Sequence, residues 1–236
     1  MDTSGESALS IVLDIVVLAL FAGVTARPLW RGALRRPWPA VVAVVVVGVP
    51  SLLQFAWPAL GSALMREPDA TLRHGEWWRV LTALFAQDGG IAAAVLNLLV
   101  VAIVMLAGNA VWGWWRAGLL FLGISVVLNL AALAWQPGGG TSFASDGLLM
   151  ATSARLALDG AGTGPGAVGG RGLAGGSVLR VAAAVQLAAG VVLVAAGDAH
   201  GVALVLGFAV GALLPAPSAC AAAGQALPRP ATGEAS

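Results

Sequence analysis

Long apolar runs, separated by short polar or Gly/Pro-rich segments, dominate the chain. A transmembrane helix needs about 20 mostly apolar residues, and the runs therefore predict seven membrane spans. The predicted spans are residues 8–26, 40–64, 90–108, 117–135, 145–158, 179–197 and 200–215. The fifth run, with about 14 residues, is short for a lipid-facing span. We expect other helices to surround it and its ends to meet a water-filled cavity.

The arginines predict an orientation, because basic residues accumulate in cytoplasmic loops. Four of them follow the first span within residues 27–36, and further ones fall in each later loop of the same side. This pattern places the N-terminus outside and the C-terminus in the cytoplasm of a multi-pass inner (plasma) membrane protein. The predicted inner arginines are Arg27, Arg31, Arg35, Arg36, Arg116, Arg171, Arg180 and Arg229. Three arginines run against the positive-inside rule, because they fall in the predicted outer loop 65–89: Arg66, Arg73 and Arg79.

The composition excludes several classes of protein. Hydrophobic residues make up 59% of the 236 positions and charged residues only 10%, with a net charge of +1. So few charges cannot coat a soluble enzyme, and they attract no nucleic acid. All basic residues are arginine and tyrosine is absent, a bias typical of GC-rich bacterial genomes. With the single Cys220 we expect no disulfide framework or thiolate cluster, and we predict neither cofactor nor metal.

Polar side chains within apolar spans are the candidates for chemistry, since burying them in a bilayer is costly. Ser145 and Asp146 begin the fifth predicted span, and Asp198 and His200 begin the seventh, on the same predicted side. A serine and a histidine are the minimum for nucleophilic attack on a carbonyl. The same residues also suit helix N-caps: Ser145 or Asp146 for the fifth helix, Asp198 for the seventh.

Other polar residues have simpler interpretations. Gln54, Asn129 and Gln186 are expected to form hydrogen bonds between helices. Asp14 either pairs with an arginine or stays protonated. His74 is expected to be a solvated loop residue, and the tryptophans of residues 112–115 to form an interfacial belt.

The stretch GEWWRVLTALF (75–85), followed by a helix with Asn97, resembles the rhomboid intramembrane proteases. A Gly-x-x-x-Gly pair in the last span, Gly207 and Gly211, adds to this resemblance, which covers roughly residues 40–215. It implies an all-α fold with a six-helix rhomboid-like core, here preceded by one extra N-terminal helix.

The resemblance also implies a short central helix that bears the nucleophile. Ser145 would be that nucleophile and His200 the general base. Asn97 and the backbone of 144–146 would donate to the oxyanion, and Asp198 could orient His200 only if it precedes the helix.

The chain departs from the rhomboid pattern at the catalytic positions. Phe143 and Asp146 stand where that family has glycines beside its serine. Leu204 occupies the place of the family's histidine, and His200 lies one turn nearer the outside. Ala93 replaces a second-helix histidine, and Trp112 an acidic residue.

Three functions stay open on these grounds. A divergent serine endopeptidase would cleave transmembrane substrates, whereas a rhomboid pseudoprotease would bind membrane segments without cutting them. A small transporter or channel would line its path with Asp14, Asp146 and Asp198. The expected partners are membrane lipids and transmembrane substrates or clients. The predicted organisation is an N-terminal helix with a basic loop (1–38), a membrane domain (39–216) and a flexible Pro/Ala-rich tail (217–236).

Overall fold

A computed structural model describes residues 8–134, 137–159 and 172–215 of the chain. Every regular element in these residues is a helix, which confirms the prediction of an all-α protein. The helices that precede the third predicted span are α1 (Ala8–Leu20, continued by a π-helical turn, Phe21–Thr25), α2 (Trp30–Ala33), α3 (Trp38–Ala56), α4 (Pro58–Leu64), α5 (Pro68–His74) and α6 (Trp78–Thr82). The remaining helices are α7 (Gly90–Trp112), α8 (Trp114–Ala131), α9 (Ser142–Asp159), α10 (Gly172–Ala195) and α11 (Ala199–Leu213).

Helix boundaries differ from the predicted spans at three places. The predicted span 40–64 is two helices, because α3 ends at Ala56, Trp57 is extended, and Pro58 opens α4. A proline fits the first turn of a helix but cannot continue one without losing a backbone hydrogen bond. Helix α10 begins at Gly172, seven residues before the predicted span 179–197. Helix α9 begins at Ser142 and has 18 residues, so the prediction of a helix of about 14 residues was wrong.

Four helices among the described residues are long and apolar enough to cross a bilayer. They are Trp38–Ala56, Gly90–Trp112, the α8 segment Trp114–Ala134 and the α10 segment Gly176–Ala195. The segments Ile11–Thr25 and Ala199–Leu213 are shorter apolar helices. Large apolar side chains on these helices are exposed, as on the valine-rich face of α3. By length and composition the chain is thus a helical membrane protein, and the predicted count of seven spans and their orientation stay predictions.

Helix α9 is the centre of the bundle. Eleven of its 18 residues are buried, and α7, α8, α10 and α11 all pack against it. The expectation that other helices shield this element is confirmed. Helix α1 joins the same core through Val17 and Phe21, and Gln186 of α10 donates a hydrogen bond to the carbonyl of Val17 at 3.0 Å.

Several predictions fall outside the described residues. Most of the predicted inner loop, with Arg171, belongs to the undescribed range 160–171. Residues 216–236, which include Cys220 and Arg229, are likewise not described. The domain boundaries at 38/39 and 216/217 stay predictions.

Candidate functional site

Small residues set the register between α9 and α11. A side chain at Gly207 would collide with the backbone of Gly147, and one at Gly211 with the backbone of Ala151. Both pairs are separated by 60 residues, so the two helices run parallel with one constant offset. The expectation that Gly207 and Gly211 allow close helix approach is confirmed. This packing decides which residues of α9 and α11 share a level in the bundle.

Asp198 fixes the position of His200. It is the N-cap of α11, and its carboxylate accepts hydrogen bonds from the backbone N–H of His200 at 2.9 Å and from Nδ1 at 2.7 Å. The interpretation of Asp198 as an N-cap is therefore confirmed, and Asp198 does precede the helix as an orienting role requires. The ring of Phe143 packs edge-on against the imidazole, with centroids 5.8 Å apart.

Ser145 lies in the body of α9 rather than at its end. Its backbone N–H donates to the carbonyl of Thr141 at 2.9 Å, so Ser142 begins the helix and neither Ser145 nor Asp146 is the N-cap. The expectation of unpaired N–H groups at 144–146 is corrected for Ser145 and Asp146, because a helix leaves only the N–H groups of its first turn unpaired, and that turn ends at Ala144. The Ser145 side chain is buried, and its Oγ has no hydrogen-bond partner among the described residues.

Helix geometry turns Ser145 away from α11. At about 100° per residue it lies about 200° around α9 from Gly147, whose backbone touches Gly207 of α11 and whose missing side chain would meet Ile124 of α8, and only about 20° from Thr152. The hydroxyl of Thr152 accepts a hydrogen bond from the indole of Trp112 on α7 at 3.3 Å. Ser145 therefore points towards α7.

Ser145 and His200 also lie at different levels. The 60-residue offset places Ser145 level with position 205 of α11, five residues further into the bundle than His200. At 1.5 Å per residue this is an axial separation of about 7.5 Å. The structure does not bring the two predicted catalytic side chains together.

Asn97 belongs to a separate polar network. Its Nδ2 donates to Oε1 of Gln87 at 2.8 Å, and the side chains of Gln87 and Gln54 connect this pair to Ser51. Gln54 also accepts from the backbone N–H of Gln87 at 3.2 Å.

The register between α7 and α9 follows from two contacts. Gly108 meets Leu148, and Trp112 meets Thr152, so the offset is 40 residues. Asn97 is therefore level with position 137, eight residues and about 12 Å from the level of Ser145. In this packing the predicted oxyanion donor is far from the predicted nucleophile.

Arg66 is a residue that the sequence analysis missed. It is buried, donates to Oδ1 of Asn129, and forms a two-residue β-bridge with Gly138, the segment that leads into α9. Its guanidinium lies 5.9 Å from the ring centroid of Phe143. Desolvation by burial lowers the pKa of Arg66, and attraction to the Asp88 carboxylate opposes that shift. Arg66 lies in a predicted outer loop, where the positive-inside rule does not expect an arginine, and this conflict was the signal in the sequence that could have identified it.

The ring of Phe143 thus neighbours both the Arg66 guanidinium and the His200 imidazole. Asp198 bonds to His200, and the carboxylates of Asp146 on α9 and Asp14 on α1 act on the imidazole electrostatically at longer range. We call this end of the bundle the His200 end.

The simpler polar interpretations have mixed outcomes. Gln186 joins two helices as expected. Gln54 instead bonds to Ser51 of its own helix and to Gln87 in the segment before α7. Asn129 bonds to Ser125 of its own helix and to Arg66 in the segment after α4. His74 is exposed as expected, but it is the last residue of α5 and not part of a loop. Trp112 is buried in the core, so the belt comprises only the exposed Trp114 and Trp115.

An open pocket lies beside the Asn97 network. Its volume is about 380 Å³, and the ends of α3 and α4 and the segment before α7 form its walls. The lining includes Gln54, Phe55, Ser62, Gln87 and Asp88. It therefore offers the exposed polar groups of Ser62 and Asp88 next to apolar surface, above amides that are already bonded within the network.

Among the described residues, no three His, Cys, Asp or Glu side chains are placed to hold a metal ion. The chain matches no protein-family model, no curated protein and no solved structure.

Proposed function

We propose that the protein is a rhomboid-like membrane protein that binds transmembrane segments of other proteins without cleaving them. The position of Ser145 carries this proposal. Its hydroxyl faces α7, has no hydrogen-bond partner among the described residues, and lies about 7.5 Å along the bundle from the level of His200. A general base must reach its nucleophile within about 3 Å.

Restoring a dyad would require a large rearrangement. Helix α11 would have to slide inward by more than a turn, and α9 would have to rotate. The backbone contacts of Gly207 and Gly211 oppose both movements, because tightly interlocked small residues leave no alternative register nearby.

The pocket beside Gln54 and Gln87 supports the binding half of the proposal. A polar side chain or an unpaired backbone group of a membrane helix is costly in lipid. The exposed carboxylate of Asp88 and hydroxyl of Ser62 offer partners to such a group, and Phe55 offers apolar contact, whereas the buried amides of Gln54 and Gln87 already bond within the network. We therefore expect clients with a polar residue near the same membrane interface.

Labelling with a fluorophosphonate tests the absence of catalysis. The purified chain and Ser145→Ala are treated in the same micelles as an active serine hydrolase, which serves as the positive control. We expect the control alone to be labelled. Labelling of the wild-type chain that disappears in Ser145→Ala would show an activated serine and contradict the proposal.

A photo-crosslinking peptide tests binding. A single-span Leu/Ala peptide with one asparagine near the interface, and a benzophenone beside it, is co-reconstituted with the protein. Ser62→Trp obstructs the pocket, whereas Ala63→Trp adds the same ring at an exposed neighbouring position outside the lining. We expect Ser62→Trp to lower the crosslinking yield several-fold and Ala63→Trp to preserve it. Equal yields in the two variants would disprove this pocket as the binding site.

A second candidate, a serine endopeptidase for transmembrane substrates, is favoured by the Asp198–His200 pair. An aspartate on Nδ1 is the arrangement that orients a catalytic imidazole and leaves Nε2 for the nucleophile. In this candidate Ser145 attacks and His200 takes its proton, with Asn97 and Asp146 in support. The labelling experiment separates it from the binding proposal.

A third candidate, a transporter or channel, is favoured by the charges of Asp14, Asp146 and Asp198 around His200. Its test is ion or solute flux in liposomes that is lost in Asp14→Asn and Asp146→Asn.

A further inference from the structure

A larger pocket lies at the opposite end of the bundle. Its volume is about 530 Å³, and it lies between α2 with the start of α3 and the turn that joins α7 to α8. Its lining is Gly32, Ala33, Arg36, Trp38, Asn109, Ala110, Gly113 and Trp114. Four of these eight residues are glycine or alanine, so the floor is open backbone, and the larger groups stand around it. We call it the Arg36 pocket.

Charge at this end is almost entirely positive. Arg36 lines the pocket, and Arg35 directly precedes it in the same exposed turn. Among the described residues, Asp159 is the carboxylate found at this end, and it is bonded to Arg155 of its own helix. The Arg36 guanidinium therefore faces no competing acidic side chain in the lining of the pocket. An anion is the ligand that this arrangement attracts.

Two tryptophans give the pocket an amphipathic wall. The rings of Trp38 and Trp114 lie 5.6 Å apart, and both residues are about half exposed. Tryptophan is typical of the level where headgroups meet acyl chains. One turn further along α3, Val41, Val42 and Val45 are all more than half exposed. An apolar strip thus leads directly from the pocket along the surface that would face lipid.

We propose that the Arg36 pocket binds the phosphate-bearing headgroup of an anionic phospholipid. Arg36 contacts the phosphate, the tryptophan pair packs against the glycerol region, and an acyl chain follows the valine strip of α3. The valine strip favours a lipid over free phosphate, because an acyl chain packs against apolar surface and inorganic phosphate has no apolar part that could do so.

Lipid titration of the purified full chain, followed by native mass spectrometry, tests this site. The probes are phosphatidylglycerol, phosphatidylcholine with the same acyl chains, and inorganic phosphate. We expect preferential binding of phosphatidylglycerol that inorganic phosphate at equal concentration does not displace. Displacement by inorganic phosphate, or equal binding of the two lipids, would overturn the proposal.

Two variants locate the site. Arg36→Gln removes the charge in the pocket, and Gly32→Leu adds bulk at a position where a Cβ would have no atom within 4 Å. We expect Arg36→Gln to weaken phosphatidylglycerol binding about fivefold and Gly32→Leu to weaken it as well. The controls are Arg27→Gln, an exposed arginine outside the lining, and Gly123→Leu, an exposed glycine of α8 with open space around it.

The controls should bind as the wild type does. Equal weakening by Arg27→Gln would indicate diffuse attraction to the arginine-rich end, and undiminished binding by Gly32→Leu would place the lipid elsewhere. Either result would disprove the Arg36 pocket as the lipid site.

Discussion

Arg66 and Arg73 belong to the same predicted outer loop, yet their environments differ completely. Arg66 is buried against Asn129 and Phe143, whereas Arg73 is exposed and pairs with Asp69 of its own short helix. The two therefore differ in what their removal costs. A lost buried partner leaves an unsatisfied polar atom, while a surface ion pair contributes little.

Arg66→Gln should lower the free energy of unfolding by roughly 1–3 kcal/mol, because it leaves Oδ1 of Asn129 without its buried donor. Arg73→Gln is the matched control and should change stability by less than about 0.5 kcal/mol. Thermal unfolding in one detergent measures both. Equal midpoints for the two variants would show that the buried contact contributes no stability.

Asn97→Leu should destabilise the protein by roughly 1–3 kcal/mol, because Gln87 loses its donor inside a buried network. Asn109→Leu on the same helix is the control, since Asn109 makes only a long contact of 3.5 Å to the carbonyl of Arg36. Denaturant or thermal unfolding compares the two. A stable Asn97→Leu variant would remove the structural role that the network assigns to this residue.

At the scale of elements, the α9–α11 interface determines whether the Ser145 and His200 side chains can meet. Its register depends on glycines whose backbones touch those of the neighbouring helix. These glycine positions do not tolerate a larger residue, because an added methyl group has no space and the neighbouring backbone cannot move aside as a side chain can.

Gly207→Ala should therefore lower the unfolding midpoint, with an overpacking cost of about 1–3 kcal/mol. Gly123→Ala on α8 is the opposite case, because open space surrounds it and alanine favours a helix by up to about 1 kcal/mol. Thermal unfolding of the two variants should shift in opposite directions. A Gly207→Ala variant as stable as the wild type would contradict the close register.

Much of the element pattern was predictable from the sequence. The apolar runs predicted α1, α7, α8 and α11 nearly as the structure has them, because each run is bounded by glycine, proline or charge. The break at Trp57 was missed, since the apolar pattern continues through Pro58 into α4. The earlier start of α9 was missed as well, although Thr141 and Ser142 are residue types that favour a helix start, because Ser145 and Asp146 offer the same signal three and four residues later.

At the scale of the whole molecule, the two ends of the bundle differ in charge. The arginine-rich end holds the Arg36 pocket, and the His200 end collects most of the carboxylates among the described residues. The positive-inside rule orients such a molecule with its arginines in the cytoplasm.

Cysteine accessibility tests this orientation. In a Cys220→Ser background, Arg35→Cys should be shielded from an impermeant maleimide in intact cells, and His74→Cys should react. Both positions are exposed on the protein, so protein burial does not limit either reaction. The reverse pattern of labelling would invert the topology.

The sequence by itself determined the properties that depend on neighbouring residues: the apolar runs, the arginine-rich segments and the cap of α11 by Asp198. Tertiary structure decided the rest. The direction of Ser145, the burial of Arg66 and the placement of Asn97 with Gln87 all depend on contacts between distant parts of the chain. A hydrophobicity pattern specifies that a helix is buried, but only its packing against α7 and α11 specifies which neighbour each of its faces meets and at what level.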